Sequence, residues 1–194
     1  MNKKEKQKEF MNHYNAIHIA FVRYCKAKSY GIMDYKDLVS ESVLRAFESF
    51  EKIKNKEKFP AFIFNISSNI LKNELRKKYR TDISNDIKIN YDNYSENSAI
   101  QKFEIDVLYK ALANLPEEQK EAIILFEISG YSIKEITIIQ SCGESAVKQR
   151  LKRGREKLAL ILGVPQIKKE NINKKSGILL TLFFEYSWRN KYIL

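Results

Sequence analysis

The chain has 194 residues, a formal net charge of +11 and 44% hydrophobic residues, which suits one large or two small domains with buried cores. The amino-terminal ten residues, MNKKEKQKEF, lack the apolar run of a secretory signal peptide. Cys25 and Cys142 are far apart and form no CxxC motif, so we expect reduced cysteines in a cytoplasmic protein. His13 and His18 show no metal-ligand spacing, and we expect neither a metal site nor a cofactor.

Six glycines and three prolines leave little material for β-turns, and long helical patterns dominate instead. The sequence therefore predicts an all-α fold. It divides into two small helical domains at 5–80 and 104–162, a flexible linker at 81–103 and a carboxy-terminal extension at 163–194.

Three helices are predicted in the first domain. The first runs from about Glu5 to Lys28, with apolar residues at three- and four-residue steps. The second starts after Asp34, a residue type that caps helix amino termini, and its Val39–Val43 stripe is opposite Asp37, Glu41 and Arg45.

The third predicted helix, from about Phe59 to Arg80, changes character along its length. It begins apolar and aromatic, with Pro60 in the first turn, and it ends basic. Aromatic rings stack on bases and lysine or arginine side chains hold the backbone of single-stranded nucleic acid. The basic end predicts an electrostatic surface, for DNA or for solubility.

The segment 81–103 is rich in asparagine, serine and aspartate, whose side chains compete for backbone hydrogen bonds and favour turns. We therefore interpret it as the linker.

The second domain sorts its charge sharply. Residues 104–144 hold eight acids against three lysines, whereas residues 145–162 hold six bases against one acid. Ser132 and Glu135 have the spacing of a capping box, Gly130 precedes it as a helix-ending residue, and a break follows at 141–144. Two helices around a short turn, the second strongly basic, predict a helix-turn-helix that binds duplex DNA.

The extension 163–194 ends in GILLTLFFEYSWRNKYIL, an apolar run far too short to span a bilayer. Its dense aromatic content favours packing against the chain's own domains. Contact with an inhibitory protein or a membrane surface remains the alternative.

Three stretches, in this order, resemble the extracytoplasmic-function (ECF) group of the sigma-70 family of RNA polymerase sigma factors. They are 37–47 (DLVSESVLRAF), 59–80 (beginning FPAFIFNISSN), and 115–155 with its LPEEQ, GYSIKEI and VKQRLKRGR segments. The first two resemble region 2 of such factors, and the third resembles region 4.

The resemblance implies a factor without enzymatic activity and without a small-molecule substrate. Such a factor binds core RNA polymerase and directs it to the −10 and −35 elements of promoter DNA. An anti-sigma factor is a further expected partner. By this analogy one face of the second helix docks on the polymerase: Asp37, Ser40, Glu41, Leu44 and Arg45.

The same analogy assigns the third helix to the −10 element, through Phe62, Asn65, Asn69, Lys72, Arg76, Lys77 and Arg80. The last helix is assigned to the −35 element. Its expected base contacts come from the face opposite Val147 and Leu151, namely Ser145, Lys148, Gln149 and Lys152. Its expected phosphate contacts are Arg150, Arg153 and Arg155.

This sequence departs from the usual pattern at a few positions. Ser68 stands where an arginine is usual, and the glycine of the helix-turn-helix turn comes two positions late, so that Gly143 is the expected cap of the last helix.

Two other functions are alternatives to the sigma factor. A polymerase-independent helix-turn-helix regulator needs a dimer interface or a ligand pocket, and the first domain shows neither pattern. A nucleic-acid enzyme needs clustered carboxylates or an activated nucleophile. The carboxylates here are scattered at capping and ion-pair spacings.

Overall fold

A computed structural model describes residues 2–81 and 99–162, with side chains in 2–80 and 106–162. Most of the predicted linker and the whole carboxy-terminal extension lie outside the described residues. The two described stretches contain seven α-helices and no strand, which confirms the all-α prediction. In order they are α1 (Lys3–Lys28), α2 (Tyr35–Glu48), α3 (Phe59–Thr81), α4 (Ala99–Ala113), α5 (Glu117–Ile123), α6 (Ile133–Ile139) and α7 (Glu144–Ile161).

Local sequence signals place most helix ends. The Asp34 side chain accepts a hydrogen bond from the Lys36 amide at 2.7 Å, as predicted for the start of α2. Ser132 and Glu135 form the predicted capping box of α6. Helix α4, however, begins at Ala99, five residues before the predicted domain boundary at 104.

The first domain packs α1, α2 and α3 around an aromatic core. The ring of Phe10 meets Phe47, Phe50 and Phe59 edge-on, with centroids 5.2–5.5 Å apart. Edge-to-face pairs of this kind are favourable beyond the area they bury. The core fixes α2 and α3 side by side, each with one face outward.

The second domain packs α4–α7 around aliphatic side chains. Helix α5 continues into a π-helical turn, Ile124–Ile128, and crosses α7 closely at Gly154. A Cβ atom on Gly154 would lie 3.0 Å from Ile123 Cγ1, so the absence of a side chain permits this crossing.

The two domains contact each other, with α1 against the π turn and α3 against α6. One apolar contact between them is an edge-on pair of the Phe64 and Tyr131 rings, whose centroids are 5.3 Å apart. Beside it lies a polar cluster centred on Glu121. Glu121 Oε1 accepts hydrogen bonds from the Tyr24 hydroxyl at 2.8 Å and the Ser68 hydroxyl at 3.1 Å.

Lys28 completes this cluster. Its side chain is only 2% exposed, and its Nζ lies 2.5 Å from Glu117 Oε1 and 3.7 Å from Glu121 Oε1, as an ion pair rather than a directed hydrogen bond. Burial opposes ionisation of Glu117, but the charge of Lys28 outweighs it and, with help from Lys120, lowers the pKa of Glu117 from 4.5 to about 2. The pKa of Glu121 is lowered in the same way against its burial, by Lys28 and by hydrogen bonds from Gln140, Tyr24 and Ser68.

Candidate nucleic-acid interface

Helix α7 separates a buried face from a charged one. Val147, Leu151 and Leu158 are buried against the rest of the second domain. The four side chains predicted to contact bases are all exposed on the other side: Ser145, Lys148, Gln149 and Lys152. Lys148 also forms an ion pair with Glu144, one turn earlier, at 3.4 Å. The outer face of α7 is therefore polar, largely basic and open to a ligand.

The turn before α7 has the conformation of a tight helix-turn-helix. Gly143 is the N-cap of α7, as the sequence predicted, and has an extended backbone. Ser141 has φ = +49°, in the left-handed region that residues other than glycine and asparagine rarely occupy. The late glycine therefore moves the left-handed position onto a serine.

The three predicted phosphate-binding arginines have different surroundings. Arg153 is exposed. Arg150 is half-buried and contacts Glu118 at 2.9 Å, and Gln140 and Cys142 at 3.0 Å each. Only Arg153 among the three presents its charge outward without one of these contacts.

Arg155 resembles Arg150 rather than Arg153. Its Nε and Nη2 donate to Glu127 Oε1 at 2.9 and 2.5 Å, and its guanidinium lies 5.4 Å from the centre of the Phe126 ring. Glu127 is 5% exposed, so this ion pair is largely desolvated. Arg150 and Arg155 thus hold α7 against its own domain.

The residues predicted for the −10 element form one stripe on α3. At about 100° per residue, six of the seven lie within roughly 80° of arc: Phe62, Asn65, Asn69, Lys72, Arg76 and Arg80. All are exposed except Phe62, which is half-buried. Lys77 lies outside the stripe and pairs with Glu74 at 2.6 Å.

The predicted polymerase-binding residues share one face of α2. Asp37, Ser40, Leu44 and Arg45 are exposed, and the half-buried Glu41 forms an ion pair with Arg45. Leu44 is 57% exposed, an apolar side chain among charges. Such a mixture suits a protein partner better than a nucleic acid.

A groove of about 340 Å³ joins this α2 face to the α3 stripe. Glu41 and Arg45 line it from α2, and Asn73, Arg76 and Arg80 line it from α3. The two surfaces are therefore continuous around the first domain.

No sequence pattern predicts the cluster at Glu121. Ser68 stands out in the sequence only as a departure from a family pattern. Lys28, a buried lysine at the end of α1, has no local sequence signal because lysine side chains are mostly exposed. In the described stretches no three His, Cys, Asp or Glu side chains are grouped as metal ligands, and no helix there is long and apolar enough to cross a membrane.

Comparison with known proteins shows similarity to sigma factors, both in the second domain and over most of the chain. A family model described as "Sigma-70, region 4" matches residues 105–158. The ECF RNA polymerase sigma factor EcfG of Rhodopseudomonas palustris (strain TIE-1) is 31% identical over 128 residues, which are 66% of this chain and 71% of that protein. The chain belongs to the ECF RNA polymerase sigma factors.

Further relatives of this sigma factor agree. The ECF RNA polymerase sigma-E factor of Haemophilus influenzae is 30% identical over 135 residues, covering 63% of this chain and 71% of that protein. Two solved structures share the fold at 22% identity and a TM-score of 0.58: CnrH in complex with the cytosolic domain of CnrY, and RpoE of Bartonella quintana in complex with the anti-sigma factor NepR. In both comparisons the matched region covers 82% of this chain. It covers 90% of the CnrH chain and 99% of the RpoE chain.

As a member of this family the protein is a promoter-specific transcription initiation factor, with core RNA polymerase and promoter DNA as its partners. The polymerase-independent regulator is not favoured, because these relatives are sigma factors.

Proposed function

We propose that residues 104–162 act as region 4 and that the outer face of α7 recognises the −35 element. The observation that carries this proposal is the exposure of Ser145, Lys148, Gln149 and Lys152 on one face, opposite the buried Val147. A helix of this kind fits the major groove, where glutamine pairs with adenine and lysine with guanine.

In this proposal Arg153 contacts the DNA phosphates. Its exposure beside the base-contacting face of α7 supports this role. Arg150 and Arg155 were predicted for the same role. Their contacts with Glu118 and Glu127 favour a positioning role, in which they fix α7 on its domain.

Residues 5–80 act as region 2 in this proposal, joined to region 4 by the linker at 81–103. The α3 stripe contacts the −10 element, with Phe62, Asn65 and Asn69 toward the bases and the basic end toward the backbone. The alignment of these residues within one arc supports this role. Lys77 lies beside the stripe and contributes charge rather than a base contact.

Core polymerase docks on the α2 face in this proposal. The exposed Leu44 supplies apolar area there, and Asp37 and Glu41 supply charge that selects the partner.

The factor works in the cytoplasm, where polymerase and promoter DNA are, and it has no catalytic activity of its own. Two solved structures with this fold contain the protein in complex with a protein partner, which in one of them is an anti-sigma factor. An inhibitory protein of this class is the expected partner when the factor is silent.

Co-purification with core RNA polymerase, followed by run-off transcription, tests the docking face. We expect Asp37→Arg/Glu41→Arg to lose polymerase binding and transcription together. The matched control is Glu9→Arg/Glu51→Arg, which reverses two acids that are outside α2 and not on the proposed docking face. Equal binding by both variants would contradict the docking face, and no binding by the folded wild type would contradict the proposed function as a whole.

Base recognition is tested on promoter variants that differ only in the −35 element. Gln149→Ala should relax the preference at one base pair, by about 1–3 kcal/mol of discrimination. Glu156→Ala, on the same helix but further from its amino terminus, is the control. An unchanged preference in Gln149→Ala would remove this residue from the base-contacting set.

A further inference from the structure

The boundary between the two domains contains a charged cluster that the proposed DNA and polymerase contacts do not use. Lys28 and Tyr24 come from α1 and Ser68 from α3, whereas Glu117 and Glu121 come from α5. Each hydrogen bond or ion pair between these two groups joins one domain to the other. Opening the boundary breaks all of them.

This cluster has the energetics of a reversible contact. Lys28 is almost fully buried, so its ammonium loses hydration when the domains close, and the two carboxylates offset that cost only while they stay in place. Buried ion pairs of this kind add little net stability, whereas removing one partner leaves an unpaired buried charge and is strongly destabilising. The hydroxyls of Tyr24 and Ser68 add directed hydrogen bonds to Glu121, which are made only while α1, α3 and α5 are in contact.

The closed arrangement leaves both proposed DNA-binding faces uncovered. Asn65 and Asn69 on α3 are exposed although their neighbour Ser68 contacts Glu121, and Gln149 and Lys152 on α7 are exposed as well. Closure therefore does not mask either face. Closure instead limits the distance between the two proposed DNA-binding faces.

This limit on the distance between the two faces matters because the two promoter elements are far apart on the DNA. The relevance of this distance rests on the proposed function. The −10 and −35 elements are about 25 base pairs apart, or on the order of 85 Å at 3.4 Å per base pair. Two domains in direct contact cannot span this distance. The 17 residues 82–98 reach at most roughly 60 Å when extended, enough to let the domains separate.

We propose that the Lys28–Glu117–Glu121 cluster, with Tyr24 and Ser68, is an interdomain latch that keeps the free factor closed. In the closed state each DNA-binding face is available singly, but the two elements cannot be bound together. Binding to polymerase or to a whole promoter requires the latch to open. The latch therefore reduces binding of the free factor to promoters by denying it bivalent contact.

Small-angle scattering of the full chain tests the conformational step without reference to DNA. Lys28→Glu places a third carboxylate beside Glu117 and Glu121, and we expect the radius of gyration to rise roughly 1.3- to 1.5-fold, toward that of two tethered bodies. Arg23→Glu makes the same charge change at an exposed position of α1 and should leave the radius unchanged. The swap Lys28→Glu/Glu117→Lys restores an ion pair of opposite polarity and should close the chain again.

A second pair of substitutions serves if circular dichroism shows that Lys28→Glu does not fold. Tyr24→Phe/Ser68→Ala removes the hydrogen bonds to Glu121 without adding charge, and should raise the radius of gyration in the same direction by a smaller amount. An unchanged radius in every folded variant of the cluster would overturn the latch.

Binding to DNA supplies the functional readout. We compare each protein's affinity for a duplex that holds both elements with its affinity for a duplex that holds one. Opening should raise this ratio at least about tenfold over wild type, because the second contact becomes intramolecular. A ratio that stays at the wild-type value in a more extended variant would overturn the regulatory role. Wild-type transcription from the promoter separates either failure from a failure of the proposed function.

Discussion

Arg150 Nη1 donates a hydrogen bond to Gln140 Oε1 at 3.0 Å, which joins α7 to the end of the preceding helix. The Gln140 amide in turn donates to Glu121 Oε2 at 3.1 Å, the same carboxylate that the first domain contacts. The Arg150 guanidinium is therefore committed to contacts within the protein rather than to the outer face of α7. This arrangement separates the roles of neighbouring arginines that look equivalent in the sequence.

Arg150→Ala and Arg153→Ala should have different effects. Arg150→Ala leaves Gln140 and Glu118 without their partner and should lower the free energy of unfolding by about 1–2 kcal/mol. Arg153→Ala should leave stability unchanged but reduce DNA affinity, with the salt dependence (log K against log salt) shallower by about 0.9. Urea denaturation and a salt titration of DNA binding measure the two effects. The reverse assignment of the two effects would contradict these roles.

The sequence predicted those parts of the fold that depend on local signals. Asp34 begins α2 and the Ser132–Glu135 box begins α6, because capping is decided by side chains within three residues of the helix start. The helical spacing of apolar and charged residues likewise predicted Val147 on the buried face of α7 and Lys152 on its exposed face.

The contact between the domains was beyond such reasoning. Lys28 meets Glu117 and Glu121 from a different domain, and Tyr24 is 97 residues from its hydrogen-bond acceptor. No periodicity pairs residues at this separation, and a lysine in a basic sequence is expected at the surface. The same is true of Arg150 and Arg155, whose partners Glu118 and Glu127 lie outside α7.

Ser141→Gly should stabilise the helix-turn-helix. Ser141 has φ = +49°, where a Cβ atom costs roughly 1–2 kcal/mol, and glycine removes that cost while gaining some entropy in the unfolded chain. We expect a net gain of about 0.5–1 kcal/mol in the free energy of unfolding, measured by urea denaturation. Ser141→Ala retains the Cβ atom and should give no gain. Equal stabilisation by both would show that backbone strain is not the cause.

Gly154→Leu should disrupt the crossing of α5 and α7. A Cβ atom there already lies 3.0 Å from Ile123 Cγ1, and Ile123 is buried, so a larger side chain forces the helices apart. Overpacking of this kind costs about 1–3 kcal/mol. Lys157→Leu, which places the same side chain at an exposed position of α7, is the matched control. Thermal unfolding of both variants decides the point, and a tolerated Gly154→Leu would contradict the close crossing.

The Glu117–Lys28 ion pair should make stability depend on acid pH. The pKa of Glu117 is about 2 in the folded protein, against an ordinary value of 4.5, so protonation favours the unfolded chain. The contribution of this carboxylate is fully present above about pH 4.5 and is lost as the pH falls toward 2. In melting curves between pH 6 and pH 3, Glu117→Gln should start less stable than wild type and show a shallower decline. Glu156→Gln, an exposed carboxylate on α7, should follow the wild-type slope, whereas parallel curves for Glu117→Gln and wild type would contradict the coupling to Lys28.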